Sequence, residues 1–142
     1  MSKNIVTALK EHHDEIRKLM ESGKENYNDF LKMKKHLDIH HQLEEDILLA
    51  KLNTMKEIKE ESLESQEEHF VLNMLLLDLA DFPSDHFRWK VKYGVLSEII
   101  EHHLDEEEED LFPEAEEHLD EETLNEMGKK FEEQKERQLK VL

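Results

Sequence analysis

The segment Glu101-His102-His103-Leu104-Asp105-Glu106-Glu107-Glu108-Glu109-Asp110 is the part of the sequence that points most directly to a structure. A weaker version of it, Ile39-His40-His41-Gln42-Leu43-Glu44-Glu45-Asp46, occurs earlier in the chain. Both segments contain a histidine that is followed four residues later by a glutamate. On an α-helix this spacing places the two side chains one turn apart on the same face. A neutral imidazole and a carboxylate that point the same way can form half of a metal site, so the two segments together predict a metal centre between helices.

The composition favours a helical domain. The chain has 142 residues, of which 39% are charged, and only 3 are glycine and 2 proline; we therefore predict one domain over residues 1–142, built from long helices. The net charge of -18 argues against binding to nucleic acid or to an anionic membrane surface. The absence of cysteine excludes disulfides, zinc–thiolate sites and iron–sulfur clusters. The sequence shows neither a membrane-spanning run nor a signal peptide, so we expect a cytoplasmic protein.

Five helical stretches follow from the apolar periodicity and from the stop signals. They cover about Asn4 to Ser22, Asn28 to Leu52, Glu61 to Ala80, Ser84 or Asp85 to Leu111, and Glu114 to the end, with a candidate break near Leu119-Asp120. Asn4 is the predicted cap of the first helix and Gly23 its stop. The predicted fold is all-α: an up-down-up-down four-helix bundle over about residues 4–112, with an additional C-terminal helical segment over about residues 114–142.

Each of the four bundle helices carries a histidine on its apolar stripe when residues are phased at about 100° each. Two of the stripes also carry a glutamate one turn later. The predicted inward set, and the candidate metal ligands, are His13, His40, Glu44, His69, His103 and Glu107. A single histidine on such a stripe is usually a hydrogen-bonded core residue. The whole set favours metal, because a buried carboxylate costs several kcal/mol unless it is paired or ligating.

The remaining histidines and acids are predicted to play lesser parts. His12 and His41 lie beside the stripes, whereas His102 points away from its stripe and is expected at the surface together with His86 and His118. The role of His36, one turn before His40, stays open, with hydrogen bonding to a metal ligand as one option. The acids around Glu107 are expected to form a solvated face: Glu106, Glu108, Glu109 and Asp110.

The number of ligands indicates two ions. Four imidazoles and two carboxylates are too many donors for one tetrahedral zinc ion. If both glutamates bridge, each of two ions has two histidines and four protein bonds. A bridging oxygen makes five bonds, so an octahedral ion keeps one position for a small ligand. These donors allow iron, zinc, manganese or cobalt.

The chain resembles the hemerythrin-like HHE cation-binding family over essentially its whole length. The resemblance rests on one motif from each bundle helix and on a tail motif: Leu9-Lys10-Glu11-His12-His13-Asp14-Glu15-Ile16, His40 with Glu44, Glu67-Glu68-His69, His103 with Glu107 before Leu111-Phe112-Pro113, and Leu124-Asn125-Glu126-Met127-Gly128. It implies a carboxylate-bridged non-haem di-iron centre, with two iron ions joined by an oxo or hydroxo bridge. Ferritin-like di-iron bundles need Glu-x-x-His pairs, and no histidine in this chain has a glutamate three residues before it.

The chain departs from the oxygen-carrying hemerythrins at two positions. They have a second histidine four residues after the third-helix histidine, where this chain has Asn73. Their last ligand motif is His-x4-Asp, where this chain offers His103 and Glu107. The sequence looks more similar to a histidine-poorer branch linked to iron, O2 or NO sensing and to iron–sulfur repair. The repair proteins carry an additional cysteine-bearing N-terminal segment, which is absent from this sequence. We therefore expect a more open centre than that of the oxygen carriers.

Two classes of function remain open. The first is a binding module that binds O2 or NO, or responds to iron, without turnover. The second is a di-iron oxidoreductase, a peroxidase or an oxidase, that uses the same open position. The sequence shows no substrate pocket, flavin motif or redox cysteine, which favours binding. A third interpretation, in which the metal only stabilises the bundle, also stays open, and the sequence names no protein partner.

Overall fold

The computed structural model describes residues 3–141 and places most of them in helices. The α-helices are α1 (Ile5–Gly23), α2 (Tyr27–Leu43), α3 (Ala50–Leu52), α4 (Lys59–Asp81), α5 (Phe87–Glu106), α6 (Phe112–His118) and α7 (Glu121–Leu139). Two π-helical segments, Glu44–Leu49 and Glu107–Leu111, connect α2 to α3 and α5 to α6 without interrupting either helical rod. Met1, Ser2 and Leu142, the ends of the predicted domain, lie outside the described residues.

Four helices, α1, α2, α4 and α5, form the up-down-up-down bundle, which confirms the all-α prediction. Each packs against the next, and α5 returns to contact α1. The last helix, α7, lies outside this bundle against α1 and α2. A Cβ atom at Gly128 would collide with the backbone of Lys3 and Asn4, so glycine permits this close approach. Within residues 3–141 no helix is both long and apolar enough to cross a membrane.

The helix ends agree with the sequence at most positions. Asn4 caps α1 by accepting a hydrogen bond from the Thr7 N–H at 2.8 Å, and α1 ends at Gly23, as predicted. The prediction that Ser84 or Asp85 caps the fourth helix is wrong. These two residues lie in a turn, closed by the hydrogen bond from the His86 N–H to the Pro83 carbonyl, and His86 becomes the cap of α5.

The predicted helix end at Leu111 is also wrong, because the rod continues through Pro113 to His118. A proline breaks a helix interior, but it is tolerated in the first turn, where its missing N–H has no intrahelical partner. The π-helical segment ends at Leu111 and α6 starts at Phe112, so Pro113 lies in a first turn. The predicted break at Leu119-Asp120 is present, and Asp120 caps α7.

The core consists of two apolar clusters. One cluster includes Leu9, Leu43 and Phe112, and the other includes Ile16, Leu37 and Ile100. Along α1, His13 comes between Leu9 of the first cluster and Ile16 of the second. The buried histidines and glutamates therefore form a polar layer between two apolar regions, where an unpaired polar group is costly.

Candidate metal centre

The structure brings all six predicted ligands into this polar layer. Each is at most 3% exposed. Their donor atoms form two groups, and the atoms of each group lie within 4.8 Å of one another: His13, His40, Glu44 and Glu107 in the first group, and His69, His103, Glu44 and Glu107 in the second. Both glutamates thus belong to both groups. We call these six residues the donor set.

In each of the two glutamates, the two carboxylate oxygens point toward different histidines. Glu44 places Oε1 2.9 Å from Nε2 of His69 and Oε2 4.0 Å from Nε2 of His40. Glu107 places Oε1 3.4 Å from Nε2 of His13 and Oε2 3.4 Å from Nε2 of His103. Each carboxylate therefore presents one oxygen to each pair of imidazoles, which is the arrangement of a carboxylate that bridges two cations.

The two imidazoles of the first group are also spaced for one ion. Nε2 of His13 and Nε2 of His40 are 3.1 Å apart. Two nitrogens bound at right angles to an ion at about 2.1 Å each are about 3.0 Å apart. The pair therefore suits two neighbouring positions on a single cation.

Carboxylates outside the layer orient three of the rings. Nδ1 donates a hydrogen bond in the pairs His13–Glu108 at 2.7 Å, His69–Glu45 at 2.8 Å and His103–Glu68 at 2.6 Å. A ring whose Nδ1 carries the donated proton presents the lone pair of Nε2 on its other side. Here that side faces the donor set. The prediction that Glu108 belongs to a solvated face is therefore wrong, because its carboxylate reaches across to a histidine on α1.

Several atoms of the donor set have no hydrogen-bond partner. They are both carboxylate oxygens of Glu44, Oε1 of Glu107, and Nε2 of His69 and of His103. The 2.9 Å contact between His69 and Glu44 lacks the alignment of a hydrogen bond. Leaving one buried polar group unpaired costs about 1–3 kcal/mol, so several in one layer indicate that another species satisfies them. A cation among nitrogen and oxygen donors fits this requirement.

Several members of the donor set have raised pKa values, which favour their protonated forms. Burial alone would lower the pKa of His103, but the adjacent Glu107 carboxylate raises it to about 9. Burial raises the pKa of Glu44 to about 7, and the charge of Glu107 adds to the effect. Without a cation the layer therefore retains protons that ordinary histidine and glutamate would have lost at neutral pH. Metal ions would replace those protons.

His41 is a site residue that the helical phasing missed. It is 7% exposed, its Nε2 has no hydrogen-bond partner, and one of its ring nitrogens lies within 4.8 Å of donor atoms of His69 and His103. Its ring stacks on His69 with centroids 4.0 Å apart. One helix stripe faces one direction, whereas α2 packs against α1 and α4 at once. In the adjacent pair His40-His41, His40 contacts His13 of α1 and His41 stacks on His69 of α4. This doublet is the signal that could have identified His41.

His12 and His36 extend the layer toward α7. Nδ1 of His12 lies 2.9 Å from Nδ1 of His40, and Nε2 of His12 lies 2.9 Å from Nδ1 of His36. His12 lies beside the stripe as predicted, yet it is fully buried, because α7 covers it with the ring of Phe131. Burial, with help from Lys135, lowers the pKa of His12 to about 2. His36 thus bonds to a partner of His40, not to His40 itself. His102, in contrast, is exposed as predicted.

A cavity of about 580 Å³ opens between α2 and α4 beside the second group of donors. Its lining includes His41, His69, Phe70 and Asn73. Asn73 is exposed in its wall. The cavity therefore gives small molecules an approach to the layer from the Asn73 side.

The comparisons with known proteins agree with this site. The hemerythrin HHE cation-binding domain profile matches residues 4–115. The crystal structure of a hemerythrin HHE cation-binding domain-containing protein from Mycobacterium kansasii is similar, with a TM-score of 0.85 and 25% identity over 96% of this chain and 87% of that chain. No curated protein matches the sequence. The resemblance carried by the sequence motifs is confirmed: the chain belongs to the hemerythrin HHE cation-binding domain family.

Proposed function

We propose that this chain is a carboxylate-bridged non-haem di-iron protein that binds or senses O2 or NO, or responds to iron. One observation carries the proposal: Glu44 and Glu107 each direct one oxygen toward each pair of imidazoles. Hydrogen bonds within the layer would not require this arrangement. Two cations, each shared by both carboxylates, would satisfy the unpartnered atoms of Glu44, Glu107, His69 and His103 together.

The number of donors differs between the two ions. The first ion would be held by His13, His40 and one oxygen from each glutamate, which makes four protein bonds. The second would be held by His69, His103, one oxygen from each glutamate, and His41 as a third imidazole, which makes five. One bridging oxygen raises these numbers to five and six. The open position of an octahedral pair then belongs to the first ion, not to the ion beside Asn73.

Iron is compatible with the imidazole and carboxylate donors and with O2 or NO as the ligand. Imidazole and carboxylate together bind iron, and the chain has no cysteine thiolate that would favour a softer metal. Bound there, iron would supply a redox-active cation with a replaceable ligand. The chain's own contribution is to fix the imidazoles through Glu108, Glu45 and Glu68 and to keep bulk water out of a layer between two apolar clusters.

The cavity between α2 and α4 favours one alternative, a di-iron oxidoreductase. Its volume of about 580 Å³ exceeds the needs of a diatomic ligand, and polar side chains including Gln42 and Asn73 line it. A small polar reductant could approach His69 by this route, while peroxide would bind at the open position of the first ion. Turnover of hydrogen peroxide by the iron-loaded protein, absent from a Glu44→Gln variant, would favour this alternative over binding alone.

The test is metal analysis of the protein purified from its own host, with optical spectra before and after reduction, O2 exposure and addition of azide or NO. We expect two irons per chain and charge-transfer bands that respond to azide or NO. Glu44→Gln should lose the bands, whereas the matched change Glu106→Gln should retain them, because Glu106 is outside both groups of donors. Wild-type protein with two irons and spectra insensitive to every added ligand would leave the metal a structural role and contradict the proposal.

A further inference from the structure

A second cavity, of about 320 Å³, lies between α4 and the rod formed by α5 and α6, and we call it the acidic cavity. Besides Glu107, seven carboxylates line it, four exposed and three half-buried: Glu61, Glu64, Glu109 and Asp110, and Glu68, Glu106 and Glu114. Among the described residues that line it there is no lysine or arginine. Two buried residues, Ser65 and Glu107, form its inner end.

Glu107 connects the acidic cavity to the donor set. Its side chain is 3% exposed and lines the cavity, while its Oε1 has no hydrogen-bond partner. Its Oε2 accepts a hydrogen bond from the Ser65 hydroxyl at 2.5 Å and lies 3.4 Å from Nε2 of His103. A cation at the inner end of the cavity would thus meet a carboxylate that already belongs to both groups of donors.

Among the described residues no lysine or arginine pairs with an acid of the cavity, unlike the acids that face α1. Arg17 on α1 binds Glu101, Asp105 and Glu108 at 3.1, 3.0 and 2.9 Å. The basic groups paired with acids of the acidic cavity are histidines: His102 lies 3.1 Å from Glu106, His118 3.6 Å from Glu114 and His103 2.6 Å from Glu68. Glu61 shows the effect of this crowding of acids: partial burial and the charges of Glu114 and Asp110 raise the pKa of its carboxyl group.

Such an arrangement attracts cations. Like charges along a cleft with low-dielectric walls focus the field, and this can raise association rates by about 10- to 1,000-fold. Carboxylate oxygens are also ligands that divalent cations accept while they still keep water. The cavity combines both properties with an end that reaches the donor set.

We propose that the acidic cavity is the route and the transient binding site by which a divalent cation, ferrous iron in the function proposed above, reaches the polar layer. The inference rests on that proposed function, because it requires the layer to hold metal. The outer carboxylates collect the hydrated cation, and Glu107 transfers it to the imidazoles.

Uptake kinetics test the proposal. Metal-free protein is mixed anaerobically in a stopped-flow instrument with Co²⁺, whose visible bands report coordination, and separately with Fe²⁺. The cavity variant is Glu61→Gln/Glu64→Gln/Glu109→Gln, which leaves Glu68 and Glu107 intact. The control variant, Asp38→Asn/Glu67→Gln/Glu133→Gln, removes the same number of charges and includes two acids of the other cavity.

We expect the bimolecular uptake rate of the cavity variant to fall about tenfold or more at low salt, with a weaker salt dependence, because the focusing charges are gone. The control should stay within about twofold of wild type, and every protein should end at two ions per chain. A cavity variant that loads as fast as the control, or a control that slows equally, overturns the uptake route alone. Wild-type protein that binds fewer than two ions overturns the proposed function, and the uptake route with it.

Discussion

Replacing His41 with leucine should have opposite effects on the metal-free protein and on metal binding. In the metal-free protein His41 is buried with an unpartnered Nε2. Removing an unsatisfied buried polar group recovers about 1–3 kcal/mol, against a loss of about 0.5–1.5 kcal/mol for the ring stacked on His69. We therefore expect His41→Leu to stabilise the metal-free protein by about 1 kcal/mol at pH 7.5.

The stability advantage of metal-free His41→Leu over wild type should grow as the pH falls. Burial, followed by the charges of His69 and His103, lowers the pKa of His41 well below its usual 6.5 in the folded protein. The unfolded chain takes up this proton below pH 6.5 and the folded protein does not, so wild type loses stability as pH falls through 6.5. Between pH 7.5 and 5.5 the difference should increase by about 1.4 kcal/mol. Urea unfolding of both proteins at the two pH values measures it.

Metal binding should weaken in the same variant. The proposed second ion would lose one of its five protein donors, and we expect its dissociation constant to rise about tenfold or more, while that of the first ion changes little. Competition titration with a chromophoric chelator separates the two ions. His102→Leu is the control, because that side chain is exposed, and it should alter neither quantity. A His41→Leu protein that is less stable without metal and binds both ions as wild type does would refute the assignment of His41.

Other predictions follow from the same layer. Chelation at pH 7.5 should lower the melting temperature by about 10 °C or more, since ions that bind only the folded state stabilise it; an unchanged value in scanning calorimetry would place metal outside the core. Loading at pH 7.5 should release protons to a weakly buffered dye, one of them from His103, because carboxylates near His69 and His103 outweigh burial and raise both pKa values, to about 9 for His103; no release would contradict these protonation states. Asn73→His should restore the second-ion affinity lost in a His41→Gln protein, and failure of this rescue in a titration would argue against His41 and Asn73 serving the same ion. Glu108→Gln should weaken binding of the first ion about tenfold through His13, and wild-type affinity there would show that Glu108 does not support the ligand.

The fold could be predicted because each bundle helix has a periodic apolar stripe and clear signals such as Asn4 and Gly23 at its ends. The inward positions of His13, His69 and their partners could be predicted for the same reason, since one stripe defines one buried direction. Their roles as metal ligands stay a prediction.

The parts that were missed depend on neighbours that one helix cannot reveal. His41 is buried because α2 has a second neighbour, α4, and His12 because α7 returns over α1. Glu108 faces outward on its own helix, but Arg17 and His13 of α1 hold it. Pro113 continues a rod because a π-helical segment precedes it and moves the start of the next helix. Each case requires contacts between residues that are distant in sequence.

The central claim is that Glu44 and Glu107 bridge two irons. Its most direct test is anaerobic titration of metal-free protein with ⁵⁷Fe²⁺, followed by oxidation and Mössbauer spectroscopy in zero and applied field. The account predicts an end point at two irons per chain and, after oxidation, a diamagnetic ground state from two coupled ferric ions. An end point at one iron, or two ferric ions that remain paramagnetic and uncoupled, would contradict it.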